Sequence, residues 1–134
     1  MKRIIIILLL TVNANYIYSQ NEKKQIETII SNSKDSLVYA LHFSLKNVKG
    51  NYSKKQVFVK GQTYRIAVFD PKNISSDIDI MIFDKKRSIE TIKYIEYNFV
   101  YIDFYCEHGG FYNLKVNNVN KDQLLIIFYI KKQQ

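Results

Sequence analysis

The chain has 134 residues, a formal net charge of +8, a single cysteine and four glycines. One cysteine excludes an intramolecular disulfide framework, and so few glycines, none in a phosphate-cradling spacing, leave no nucleotide loop. The basic residues are almost all lysines and are scattered, some of them in pairs (Lys23-Lys24, Lys54-Lys55, Lys85-Lys86, Lys131-Lys132). A nucleic-acid face would instead cluster arginine with interleaved aromatics, so nucleic acid is excluded as a partner.

Lys2 and Arg3 precede an unbroken apolar run from Ile4 to Leu10, and a polar stretch then ends in Tyr18-Ser19-Gln20. This is the pattern of a cleavable secretory signal peptide over residues 1–19. The run falls short of the ~20 apolar residues that span a bilayer, and no other segment offers a transmembrane candidate. The expectation is a protein that is secreted or periplasmic. Losing Lys2 and Arg3 takes the charge from +8 to +6. The remainder, 20–134, fits one domain that folds without disulfide staples.

Ile26, Ile29, Ile30 and Leu37 fall on one stripe at helical spacing, which predicts a helix over about 21–37. From Val38 the period changes to two. Leu41, Phe43 and Leu45 alternate with His42, Ser44 and Lys46; Val57 and Val59 with Gln56, Phe58 and Lys60; Tyr64, Ile66 and Val68 with Arg65, Ala67 and Phe69; and Ile78, Ile80 and Ile82 with Asp77, Asp79 and Met81. Asp70-Pro71-Lys72-Asn73 reads as a turn, because proline fixes φ and the Asp and Asn side chains bond nearby backbone. Ile89 to Tyr97 is a further strand candidate. Val100, Ile102, Phe104 and Cys106 form another alternating series, and Tyr112, Leu114 and Val116 follow the Gly109-Gly110 break. Leu124 to Ile130 is apolar on both faces, which suits a central strand. Strands at this spacing predict an all-β protein, an antiparallel β-sandwich of jelly-roll-like form with one N-terminal helix packed against it.

Three stretches carry a family resemblance: Val57-Phe58-Val59-Lys60-Gly61-Gln62-Thr63-Tyr64-Arg65-Ile66, Asp77-Ile78-Asp79-Ile80-Met81-Ile82-Phe83-Asp84, and Gly110-Phe111-Tyr112-Asn113-Leu114-Lys115-Val116. Over roughly residues 56–116 the chain resembles the secreted bacterial pre-peptidase C-terminal (PPC) β-sandwich domains. The resemblance implies a jelly-roll fold and an accessory role in secretion or substrate binding. Such domains accompany proteases, and no protease sequence is attached here. Some domains of this type bind calcium.

Asp77 and Asp79 share a face of a regular strand, so together with flanking carboxylates they are candidate calcium ligands. The alternative is a solvated acidic strand face, and no other cofactor is implied. Cys106 and His108 lie two apart, as a nucleophile and its base would on one strand. No third orienting group or oxyanion signal accompanies them, and period two places Cys106 in the core as a small hydrophobe. Catalytic residues are therefore not assigned. The aromatics are 11 tyrosines and 8 phenylalanines. Phe58, Phe99, Tyr101, Tyr105, Phe111 and Tyr129 fall opposite the expected core face. Of these, Phe99, Tyr101 and Tyr105 share one side of one strand and form the candidate ligand-binding strip; covering by the helix is the competing explanation. The resulting expectation is a non-enzymatic binding or accessory domain with a protein or glycan partner. The alternatives are a small hydrolase or peptidase-like enzyme, or an envelope protein with no specific ligand.

Overall fold

The computed structural model describes residues 22–69, 78–96 and 99–132. The leader, the Asp70–Asn73 turn and Asp77 lie outside the described residues. The chain divides after Lys34 into two compact units.

The described residues of the first unit form a helix, α1, over 22–32. The Thr28 hydroxyl bonds back to the Lys24 carbonyl at 2.7 Å, and the Ser33 amide bonds to the Ile30 carbonyl at 3.3 Å, closing the last turn. The helix is shorter than the spacing of its apolar residues predicts. Asn32-Ser33-Lys34-Asp35-Ser36 is a run whose short polar side chains compete for backbone hydrogen bonds and so disfavour helix. Leu37, which the helical stripe claimed, instead begins the first strand.

The second unit is antiparallel β-structure. Its strands are β1 (Leu37–Phe58), β2 (Thr63–Phe69), β3 (Asp79–Asp84), β4 (Arg87–Ile89), β5 (Lys93–Ile95), β6 (Phe99–Tyr105) and β7 (Gly110–Lys131). The Ile89–Tyr97 candidate is thus two short strands. β7 is central, as its two apolar faces predict. It pairs along its whole length with β1 on one side. On the other side its first half pairs with β3 and its second half with β2. β6 and then β5 continue beyond β2, and β4 beyond β3. The strand pairing departs from the expected jelly-roll-like sandwich in one respect: all seven strands belong to one sheet, which curls into a half-barrel.

The curl has a local cause. On β1 the core-facing positions run Leu41, Phe43, Leu45 and then Val48 and Tyr52, so the inward parity flips at Asn47. Asn47 has φ 54°, a left-handed conformation that asparagine tolerates better than most residues. On β7 the inward series Tyr112, Leu114, Val116 flips to Val119 across Asn118, φ 62°. The β1–β7 register slips by one residue at the same place, between Gly50 and Tyr52. Bulges of this kind bend a strand and raise its twist.

The flip overturns one expectation. Phe58, assigned to the outer face, is 2% exposed, whereas Val57 and Val59 are 50% and 58% exposed. Phe58 is the hub of the core, with ring centroids of Tyr64, Phe104, Tyr112 and Phe128 within 4.8–6.1 Å. Tyr129, also expected outside, faces away from that core and is nonetheless fully buried.

Candidate functional site

The outer face of β2, β6 and the second half of β7 places unlike residues side by side. Register sets Arg65 between Asp103 on β6 and Tyr129 on β7. Arg65 is buried. Its Nε donates to Asp103 Oδ1 at 2.8 Å and its Nη2 to Asp103 Oδ2 at 3.0 Å, a bidentate pair. Nη2 also donates to Asp35 Oδ2 at 2.7 Å. Lys131 Nζ lies 3.3 Å from Asp103 and 3.7 Å from Asp35. Two cations and two carboxylates therefore alternate, which is how a buried charge is kept tolerable. Burial pulls the Arg65 guanidinium down, and the hydrogen bonds to Asp103 and Asp35 outweigh it, leaving Arg65 above its ordinary value. The hydrogen bond from Arg65 is the main cause holding the Asp35 carboxyl below its ordinary value.

This cluster supports the aromatic strip. The guanidinium carbon of Arg65 sits 4.2 Å from the Tyr101 ring centroid, a cation–π contact. Tyr101 stacks on its cross-strand neighbour Tyr94, with centroids 5.1 Å apart and planes at 18°, and on Phe99 at 5.9 Å. Partial burial raises the Tyr101 phenol and Arg65 opposes it; the hydroxyl keeps its proton at neutral pH and can donate. The candidate strip is thus partly assembled: Phe99 and Tyr101 form one row, and Tyr105 stands beyond Asp103, 52% exposed. Tyr94, 44% exposed, completes the row. Sequence reasoning missed it because only strand register brings β5 beside β6. It missed Asp35, Arg65, Asp103 and Lys131 for the same reason: no spacing along the chain joins them.

The acidic candidates differ. Asp79 is exposed and bonds to Lys93 Nζ at 3.0 Å. Its intended partner, Asp77, is outside the described residues. Among the described residues no three His, Cys, Asp or Glu side chains converge to hold a metal ion.

A cavity of about 500 Å3 opens between Arg87–Thr91 and Asp103–Tyr105, and Asp84, Glu107, His108 and Tyr112 also line it. It lies between β4, at one end of the sheet, and the end of β6. Nearby, Lys93 of β5 bonds to the Ile78 carbonyl at 3.2 Å as well as to Asp79, tying one end of the sheet to the start of β3. Cys106 is fully buried beside this cavity. Its thiol lies 3.4 Å from the His108 carbonyl and 3.7 Å from the Tyr112 hydroxyl, and that hydroxyl donates to the same carbonyl. Burial, chiefly, and the thiol raise the Tyr112 phenol above its ordinary value. The His108 imidazole is 79% exposed and lies 4.0 Å from Glu107. Thiol and imidazole are thus turned to different partners. The second histidine, His42, takes a 2.7 Å hydrogen bond with the Tyr39 hydroxyl on β1.

No family model and no curated protein matches this chain. The described residues contain no helix long and apolar enough to cross a membrane.

Proposed function

We propose that the chain is a secreted, non-enzymatic binding or accessory domain whose ligand, a protein or glycan at the cell envelope, meets the outer face of β5 and β6. The single observation that carries this reading is the aromatic row Tyr94–Tyr101–Phe99, backed by a buried guanidinium and flanked by exposed Tyr105. Tyrosines offer large, rigid contact area together with a hydroxyl that pairs with polar groups. An arginine locked by two carboxylates holds the central ring in one orientation, so little side-chain entropy remains to be lost on contact. This role agrees with the accessory one that the PPC-like resemblance implies.

The test is cosedimentation of the purified chain with isolated envelope fragments. The expected result is binding that weakens tenfold or more in Tyr94→Ala/Tyr105→Ala with an unchanged melting temperature. Pre-treating the fragments with protease separates a protein ligand from a glycan. Absence of cosedimentation, or equal binding by the double variant, overturns the reading.

A further inference from the structure

The half-barrel is incomplete along β1. Among the described residues this 22-residue strand pairs with β7 alone, so its other edge has no strand beside it. The core is thin at the same place. Leu41, Phe43, Leu45, Val48 and Tyr52 all pack against the core cluster yet stay half-buried, whereas their β7 counterparts Leu124, Ile126 and Phe128 are fully buried. Lys54 Nζ sits 3.0 Å from the Phe43 ring centroid, so a cation covers part of that ring. An open edge with core side chains half in water is the template on which a further strand adds.

Charge decides what that strand is. β1 contains Lys46, Lys49, Lys54 and Lys55 and not one Asp or Glu. Pairing β1 with β1 of a second copy would bring together two strands that each carry four lysines and no carboxylate, and like charges that meet across strands destabilise. Lysines and bulges guard an edge against association with its own kind; the same lysines attract carboxylates.

We propose that the free edge of β1, over about Leu41–Lys49, receives an extended segment of a partner protein as an added strand, with apolar side chains alternating with carboxylates. The apolar side chains cover Leu41, Phe43 and Leu45. The carboxylates face Lys46 and, after a one-residue slip of the added strand opposite the parity change at Asn47, Lys49. Main-chain hydrogen bonds supply the affinity and the alternation supplies the register. This surface is distinct from the aromatic row, and its occupancy does not depend on that row's ligand.

The probe is an end-capped, fluorescein-labelled ten-residue peptide alternating Glu with Val. It is compared with a Lys–Val peptide and with a Glu–Val peptide N-methylated at alternate residues. Binding to the purified chain is read by anisotropy at low salt, and backbone hydrogen exchange locates it. The expected result is a Kd at least tenfold lower for the Glu–Val peptide than for either control, with new protection confined to amides of residues 41–49. Lys46→Glu/Lys49→Glu reverses the preference between the Glu and Lys peptides while β2 and β6 keep their protection. If that variant loses its fold, the three-peptide comparison on the native chain still decides. Equal binding of the Glu and Lys peptides, full binding of the N-methylated peptide, or binding without protection of β1 overturns the proposal. So does protection of β1 that grows with protein concentration alone, which would make the occupant a second copy.

Discussion

The rings of Phe58 and Phe128 lie 6.1 Å apart, although Phe58 pairs with Gly110 at one end of the β1–β7 ribbon and Phe128 lies near the other. Eighteen strand residues would span roughly 60 Å if the ribbon were straight. The contact therefore measures the curl directly, and Phe58 is the residue whose burial the curl makes possible.

Phe58→Ala is expected to cost about 3–5 kcal/mol, the range for a large aromatic removed from a closed core. Val57→Ala, one residue away on the exposed face, is expected to cost less than about 0.5 kcal/mol. Urea denaturation of the two variants measures both. Equal midpoints would show that Phe58 is not the inward residue of this pair.

Asn47→Gly should leave stability within about 0.5 kcal/mol of the native chain, because glycine adopts positive φ readily. Asn47→Val should lower it by about 1–2 kcal/mol, since a β-branched residue resists the left-handed conformation. Thermal melts of the pair separate a need for this backbone geometry from a need for the asparagine side chain, which would make both substitutions costly.

Acid should loosen the charge cluster. The Asp35 carboxyl is held below its ordinary value of 3.8. A depressed folded-state value means that the unfolded chain takes up the proton first. The stabilisation is thus fully present above about pH 4 and is lost as pH falls through the folded value. The melting temperature should drop below about pH 4 in the native chain and drop less steeply in Asp35→Asn. Parallel profiles for the two proteins would remove Asp35 from the acid response.

Cys106 should react slowly with a thiol reagent in native buffer and quickly in denaturant. It is fully buried, and its sulfur sits among the His108 carbonyl and the Tyr112 hydroxyl. Access then requires the chain to open. Rapid native labelling would expose the thiol and restore it as a candidate nucleophile.

Much of the sheet was legible in period two: Ile66, Val68, Ile80, Ile82, Ile102, Phe104, Leu114 and Val116 all face the core as their alternation predicts. The run Leu124–Ile130 announced a central strand because it is apolar on both faces. Phe58 was misplaced because Val57 and Val59 flank it as an alternating pair of their own, and alternation does not say which of two apolar faces turns inward. The sandwich expectation rested on strand count and spacing, which are the same for two facing sheets and for one curled sheet. Of the candidate site, Phe99, Tyr101 and Tyr105 were visible as neighbours on one strand. Tyr94 and the Asp35–Arg65–Asp103–Lys131 cluster were not, because cross-strand partners are fixed by register between segments far apart in the chain.

The central position of β7 also sets the order in which the fold can form. β1, β2 and β3 all take β7 as a neighbour, and β7 is the last of the described strands. The longest pairing joins Leu37 to Lys131 and Phe58 to Gly110, contacts of high sequence separation whose loop closure must be met before any of them is rewarded. A chain emerging from its N-terminus thus carries β1 as an unmatched, aromatic-rich strand until β7 is made. Its refolding should be slow for its size, and loss of Leu124–Lys131 should cost not one strand but the shared partner of β2 and of the first half of β1.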